Sequence, residues 1–273
     1  MLAVCATPIG NLEDVTLRVL RELAEADVVL CEDTRHTRGL LARHGIEARL
    51  VSYHRHNEAA RAAELLPRLE AGERMALVSD AGLPAVNDPG ARLIAAALEA
   101  GVQVTVLPGP SAVETALVAS GLVGERYTFL GYLPRAAAGL AELWAEVARS
   151  PHPVVAFESP QRLPTALRSL ATALPERRAA VCRELTKRFE EIARGTAAEL
   201  AARFSEPPKG ELTLVVGGAE AEARANAAEE GEALAAVTEL VGAGVPRKQA
   251  ADVVARLTRV SRNTLYSKSL QSG

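Results

Sequence analysis

Short runs of consecutive apolar residues, each followed by a longer amphipathic stretch, recur through the first third of the chain and constrain its fold most. Residues 2–5, 27–31, 74–79 and 102–107 read as strands, and residues 17–24, 58–71 and 91–101 as the helices between them. A strand with one wet face alternates apolar and polar residues. Most of these runs lack strict alternation, which suggests strands covered on both faces, as in a parallel α/β sheet. A second set follows, with strands at 127–131, 153–158, 179–184 and 211–216 and helices at 139–150, 163–173 and 196–205. A chain of 273 residues is long enough for two such domains. They are expected at 1–110 and 111–218, with the connection near 109–120 as a hinge.

After Gly217-Gly218 the character changes. Residues 220–239, rich in Ala and Glu, read as a polar linker running into a helix. Residues 245–268 turn basic: Arg247, Lys248, Arg256, Arg259, Arg262 and Lys268 face Asp252 alone. Ala250, Val253, Val254 and Leu257 repeat at helical spacing, and a break at Val260-Ser261 precedes a second helical stretch at 262–266. This outlines a small helical module at 232–268, of helix-turn-helix type. The whole chain carries a net charge of −3, so a positive tail stands out. It either grips phosphates or solvates a helix and supports a dimer contact.

No stretch approaches the ~20 apolar residues of a membrane helix, and the N-terminus lacks the form of a secretory signal. Cys5, Cys31 and Cys182 are isolated and read as reduced, buried thiols of a cytoplasmic protein. Neither they nor the histidines show metal-ligand spacing, so no metal is expected.

Open α/β sheets bind ligands at the carboxyl ends of their strands, and three unusual loops fall there. TPIGN, residues 7–11, lacks both the dinucleotide glycine signature and the Walker lysine, and is either a tight turn or an anion-facing one. In SDAGLPAVNDPG, residues 79–90, Asp80 ends an apolar strand, where a carboxylate needs partners. It suits a cationic or hydroxyl-rich ligand, or else an Asx-turn. In LPGPSA, residues 107–112, small residues admit a flat group such as adenine, or form a rigid hinge. CEDTRHTR at 31–38 and YHRHNE at 53–58 supply arginine, histidine and an aromatic ring, the groups that RNA recognition uses, although each also reads as a solvated loop. FESP at 157–160, CRELTKR at 182–188 and KGE at 209–211 again put ionisable groups at strand ends.

EDTRHTRGLL, SDAGLPAVNDPG, LPGPSAVETAL, FESPQRL, RELTKRFEE and KGELTLVV, in that order, closely resemble the small-subunit ribosomal RNA methyltransferase I family, cytidine-2′-O-methyltransferases of the tetrapyrrole methylase superfamily. The resemblance covers about residues 2–217, and the basic tail resembles that family's C-terminal module. The chain departs from the family pattern at Leu83, at Asn87, where the family has serine, and at Arg55, where it has glutamate.

The resemblance implies two α/β domains of tetrapyrrole-methylase type with S-adenosylmethionine in the cleft between them, a homodimer, and 16S ribosomal RNA within the small subunit as substrate. It implies cofactor contacts at Pro8, Gly10, Asp80, Ala81, Gly82, Leu83, Ser111, Ala112, Phe157, Cys182 and Leu212. A ribose 2′-hydroxyl is a weak nucleophile near neutral pH, so a base or a cation beside the developing oxyanion helps it. Lys187 is the first choice for either role, with Glu184 orienting it, unless it forms only a structural ion pair. Glu158 and His36 are the alternatives. Arg35, His36, Arg38, Tyr53, Arg55, Arg247, Lys248 and Arg262 are the expected RNA contacts. Competing readings are a tetrapyrrole C-methyltransferase, a diphthine-type protein methyltransferase, and an RNA-binding ribosome-assembly factor without catalysis. The basic tail and arginine-rich loops speak against a free tetrapyrrole.

Overall fold

The computed structural model describes residues 1–258 and 260–270, with residues 220–228 described by their backbone alone. Arg259 and the polar end of the tail, residues 271–273, lie outside the described residues.

Strands β1 (Leu2–Cys5), β2 (Val28–Cys31), β3 (Leu50–Ser52), β4 (Met75–Val78) and β5 (Val104–Leu107) form a sheet in the order β3-β2-β4-β1-β5. Every pairing in it is parallel. Helices α1 (Leu17–Glu25) and α2 (Thr34–Arg43) cover one face, through Val19, Leu23 and Leu41 against Ala3, Cys5, Val29 and Val78. Helices α3 (Glu58–Glu70) and α4 (Ala91–Glu99) cover the other, through Leu65, Leu69 and Leu93 against Leu2, Val28, Leu30 and Leu77. Apolar cover on both sides explains the unalternated strands. Each fully buried Leu or Val contributes about 1.5–3 kcal/mol.

The layering also sets the crevice. The chain leaves β1 for one face of the sheet and leaves the adjacent β4 for the other, so the loops after these neighbours part at their carboxyl ends. The two loops stay tied at their roots, where Thr7 and Gly82 exchange backbone hydrogen bonds at 2.9 and 3.0 Å. Residues 34–38, weighed as loop, instead open α2. Asp33 is its N-cap, accepting the Arg35 N–H at 2.8 Å.

The second sheet joins β6 (Thr128–Tyr132), β7 (Val154–Glu158), β8 (Arg178–Arg183), β9 (Glu191–Thr196) and β10 (Leu212–Val216) in the order β6-β7-β10-β8-β9. It is mixed: only β6 and β7 run parallel, and β10 is antiparallel to both of its neighbours. Two elements here differ from expectation. The hinge is a helix, α5 (Ala112–Ser120), whose Val113, Ala116 and Leu117 cover one face of this sheet. Strand β9 pairs with β8 at the sheet edge. Helices α6 (Ala137–Arg149), α7 (Leu163–Ala173) and α8 (Ala197–Arg203) cover the other face around the fully buried Trp144.

The segment read as a polar linker lies in one helix, α9 (Ala219–Gly242). Ala and Glu are strong helix formers, and this stretch holds no proline to interrupt them. With α10 (Arg247–Leu257) and α11 (Arg262–Ser269) it encloses a small core of its own: Ala233, Val237, Ala250, Ala251, Val254 and Leu265. Among the described residues no helix is long and apolar enough to cross a membrane. All three cysteines are buried and unpaired, and burial pushes the Cys5 and Cys182 thiols up to about 12.

Candidate active site

A cleft of about 770 Å³ opens between the two sheets, within the range of small-ligand and cofactor sites. The first sheet supplies one wall from the loops after β4 and β5. Among the expected cofactor residues, Asp80, Ala81, Gly82, Leu83, Ser111 and Ala112 line it. The second sheet supplies the opposite wall, lined by Phe157, Cys182 and Leu212, with Glu158 beside them.

Pro8 and Gly10 do not line this cleft. Pro8 borders a separate small cavity with Thr7 and His36. Gly10 lies on the seam between the sheets. A Cβ there would sit 2.5 Å from Lys187 Cγ and 2.8 Å from the Leu185 carbonyl oxygen, so only glycine lets the two backbones approach this closely. The Asn11 N–H reaches across the same seam to Thr186 Oγ1 at 3.0 Å.

The loop after β4 is braced from below. Thr7 Oγ1 donates to the Ser79 carbonyl at 3.0 Å, and Asp80 Oδ1 accepts the Asp33 N–H at 3.1 Å. Glu58 Oε1 accepts from Gly90 N at 3.0 Å and from Tyr53 Oη at 3.3 Å. Tyr53 is fully buried. Its ring is a strut beneath the loop and is not exposed for stacking on RNA, contrary to expectation. A tyrosine one residue past a strand reads the same in sequence whether it turns in or out.

Every charged residue lining the cleft is a carboxylate. Glu32, Asp88, Glu114 and Glu211, none of them expected there, join Asp80 and Glu158 along its surface. They come from distant loops that the topology gathers at the strand ends. Burial, then repulsion from Glu32, pushes the Asp88 carboxyl up to about 6; Ser79 and Arg55 oppose the shift and Asp80 adds to it. The protonated native form is therefore favoured. The stability it contributes is complete below about pH 4 and lost as the pH rises through about 6. Asp88→Asn should accordingly raise the thermal midpoint at about pH 8 and leave it nearly unchanged at about pH 4. Thermal denaturation at the two pH values checks this, and equal shifts would show that Asp88 carries no strained charge.

Lys187 Nζ stands 2.9 Å from Glu184 Oε1 and 2.8 Å from Glu211 Oε2. Partial burial pulls its pKa down, but the hydrogen bonds it donates to Glu211 and Glu184 outweigh this and raise it. Lys187 is thus an ammonium near neutral pH, which fits a cation's role and removes that of a neutral base. It does not line the cleft itself and reaches it through Glu211, which does. Glu184 also accepts the Glu211 N–H at 2.9 Å. Glu158 is almost wholly buried and paired with Arg162 at 2.7 Å. His36 stands on α2 at the small cavity, outside the main cleft.

Arg35, His36 and Arg38 are exposed on α2, Arg35 bonded back to Asp33. Arg55 is exposed, and its guanidinium donates to the Asn87 carbonyl at the cleft. In the C-terminal helices Lys248 and Arg262 are exposed, while Arg247 donates to the Ser269 carbonyl between α10 and α11.

The profile of the Tetrapyrrole (Corrin/Porphyrin) Methylases matches residues 1–201. Ribosomal RNA small subunit methyltransferase I of Mesorhizobium japonicum is 43% identical over 274 aligned positions, covering 99% of this chain and 91% of that protein. The protein of the same name from Escherichia coli O157:H7 is 40% identical, covering 99% of this chain and 94% of its own. The chain belongs to the ribosomal RNA small subunit methyltransferase I family. Its fold is that of the tetrapyrrole methylases. The uroporphyrin-III-C-methyltransferase of Thermus thermophilus superposes with a TM-score of 0.56 over 81% of this chain and 95% of that one, at 24% identity. In this family member all six motifs contribute to the cleft lining where the two sheets meet: EDTRHTRGLL through Glu32 before it runs into α2, and RELTKRFEE through Leu185, with the Lys187 pair beside it.

Proposed function

We propose that this protein transfers a methyl group from S-adenosylmethionine to the ribose 2′-hydroxyl of a cytidine in 16S ribosomal RNA of the small ribosomal subunit. The observation that carries this reading is the acidic, two-walled cleft with one clamped ammonium at its edge, in a chain whose full-length relatives are named for small-subunit RNA. S-adenosylmethionine, when bound, supplies an electrophilic methyl on a positively charged sulfur. The residues fit it. Carboxylates line the cleft where a cation must lie, and small residues such as Ala81, Gly82 and Ala112 leave room for a flat ring against the backbone. Asp80–Leu83, Ser111 and Ala112 would hold it from one side, and Phe157, Cys182 and Leu212 from the other.

The chain's own groups then act on the acceptor. Apolar walls exclude water and strengthen every charge interaction inside. The Lys187 ammonium, fixed by Glu184 and Glu211, stabilises negative charge developing on the hydroxyl oxygen. Asp88 is the cleft carboxylate suited to take the proton, because a base works best with a pKa near the operating pH. Arg35, His36, Arg38 and Arg55 on the first domain, with Arg247, Lys248 and Arg262 on the C-terminal helices, are the proposed RNA contacts. The working units are 1–110, 111–218 and a C-terminal module, in a cytoplasmic homodimer. The module begins with α9 at Ala219, because a boundary at 232 would cut that helix.

Incubation with methyl-labelled S-adenosylmethionine and unmethylated small subunits, followed by alkaline hydrolysis of the RNA, tests the reading. A 2′-O-methyl group blocks cleavage at its own nucleotide, so the label should appear in an alkali-resistant dinucleotide containing cytidine. Label on a base, on protein or nowhere would overturn it.

A further inference from the structure

Resting on that reading, we propose that the ring of Tyr132 is a stacking shelf for the unpaired base of the nucleotide whose ribose is methylated. A nucleotide acted on within folded RNA must leave its stack, and enzymes that extrude one receive the base on aromatic or apolar side chains.

This chain is poor in aromatic residues: four Phe, four Tyr and one Trp. Trp144 and Tyr53 are wholly buried. Tyr132 is 61% exposed yet borders the cleft. It is held from behind. Its ring meets Phe157 edge-on with centroids 5.8 Å apart, and Phe157 meets Phe129 the same way at 5.0 Å. A ring fixed on one side and open on the other presents its surface without ordering a mobile side chain on binding.

The backbone is shaped to aim it. Strand β6 pairs with β7 in register at Thr128 and Phe129, then slips before Tyr132 pairs with Phe157. Gly131, at φ +68°, makes the turn. Such bulges re-aim a side chain and are over-represented beside active sites. A Cβ on Gly131 would lie 3.0 Å from Asn87 Oδ1, so the two domains touch at this point. Asn87 in turn receives the Arg55 guanidinium on its carbonyl. An aromatic face and an arginine at one cleft mouth match the stacking and phosphate contacts of a nucleotide.

The test uses the full chain, methyl-labelled S-adenosylmethionine and unmethylated small subunits, with Tyr132→Ala and Tyr132→Phe. The alanine variant should lose roughly tenfold to a hundredfold in kcat/KM for the subunit. The phenylalanine variant should stay within about twofold, because the face and not the hydroxyl is used. Calorimetric affinity for S-adenosylhomocysteine should be unchanged in both. An alanine variant with normal kcat/KM overturns the proposal. A matching loss of S-adenosylhomocysteine affinity also overturns it, placing the ring against the cofactor. So does a phenylalanine variant as poor as alanine. If the unaltered protein binds S-adenosylhomocysteine but methylates no RNA, the proposed function falls, and the shelf with it.

Discussion

Lys187→Met should lower the rate of methyl transfer by ~10²-fold or more, while S-adenosylhomocysteine affinity changes little. Methionine keeps the apolar stem that packs beside Gly10, so the seam between the sheets keeps its closest approach. What disappears is the ammonium between Glu184 and Glu211. A preorganised cation acts on charge that develops only in the transition state, so its removal falls on turnover rather than on binding. Two carboxylates left unneutralised at the edge of an already acidic cleft make the site more hostile to an oxyanion. Single-turnover methylation at saturating subunit, with calorimetry on the same preparation, separates the two effects. A variant with near-normal turnover would reduce Lys187 to a structural ion pair. The pH profile of the unaltered protein should rise through about 6, where Asp88 gives up its proton, and the Lys187 variant should keep that limb.

Removing the chain after Gly218 should leave S-adenosylhomocysteine affinity intact and weaken binding to the small subunit by ~10²-fold at moderate salt. The cut is chosen by the core. The C-terminal helices bury their apolar residues among themselves, in a cluster separate from those that line the two sheets. Both sheets therefore keep their packing without it. If the module grips phosphates, affinity plotted against salt should flatten by roughly 0.7–0.9 in log–log slope for each phosphate no longer neutralised. With one phosphate each for Arg247, Lys248 and Arg262, the difference would be roughly 2–3. Filter binding of both proteins across a salt series reads it directly. Identical slopes would leave the RNA to Arg35, Arg38 and Arg55.

The first sheet was legible because its buried strands β1, β2 and β4 are apolar throughout and the loops after β1, β4 and β5 are rich in Gly, Pro or Asp. The rule that ligands gather at strand ends then located Asp80 and Ser111 correctly in the cleft. Legibility failed where local pattern carries two meanings. The EIARGT run of β9, with two charges and a glycine, suits an edge strand and a loop alike, and α5 follows prolines that announce a hinge. Tyr53 and Tyr132 both close short strands, and only tertiary packing hides one and exposes the other. Glu32 and Asp88 lie far apart in sequence, so their mutual repulsion over the cleft exists only after the parallel sheet has aligned its loops. Gly10 read as a turn residue and, by resemblance, a cofactor contact, because close approach of a second domain leaves no trace in its neighbours.

Trp144, the chain's sole indole, sits wholly inside the second sheet's core. Nature has thereby wired a fluorophore into one half of the molecule only. Under denaturant, indole emission will follow the melting of that half, while circular dichroism follows the helices of both. Any gap between the two curves measures how far the halves come apart as independent cooperative units. A ligand bridging both walls of the cleft should draw the curves together, since neither half could then unfold without releasing it.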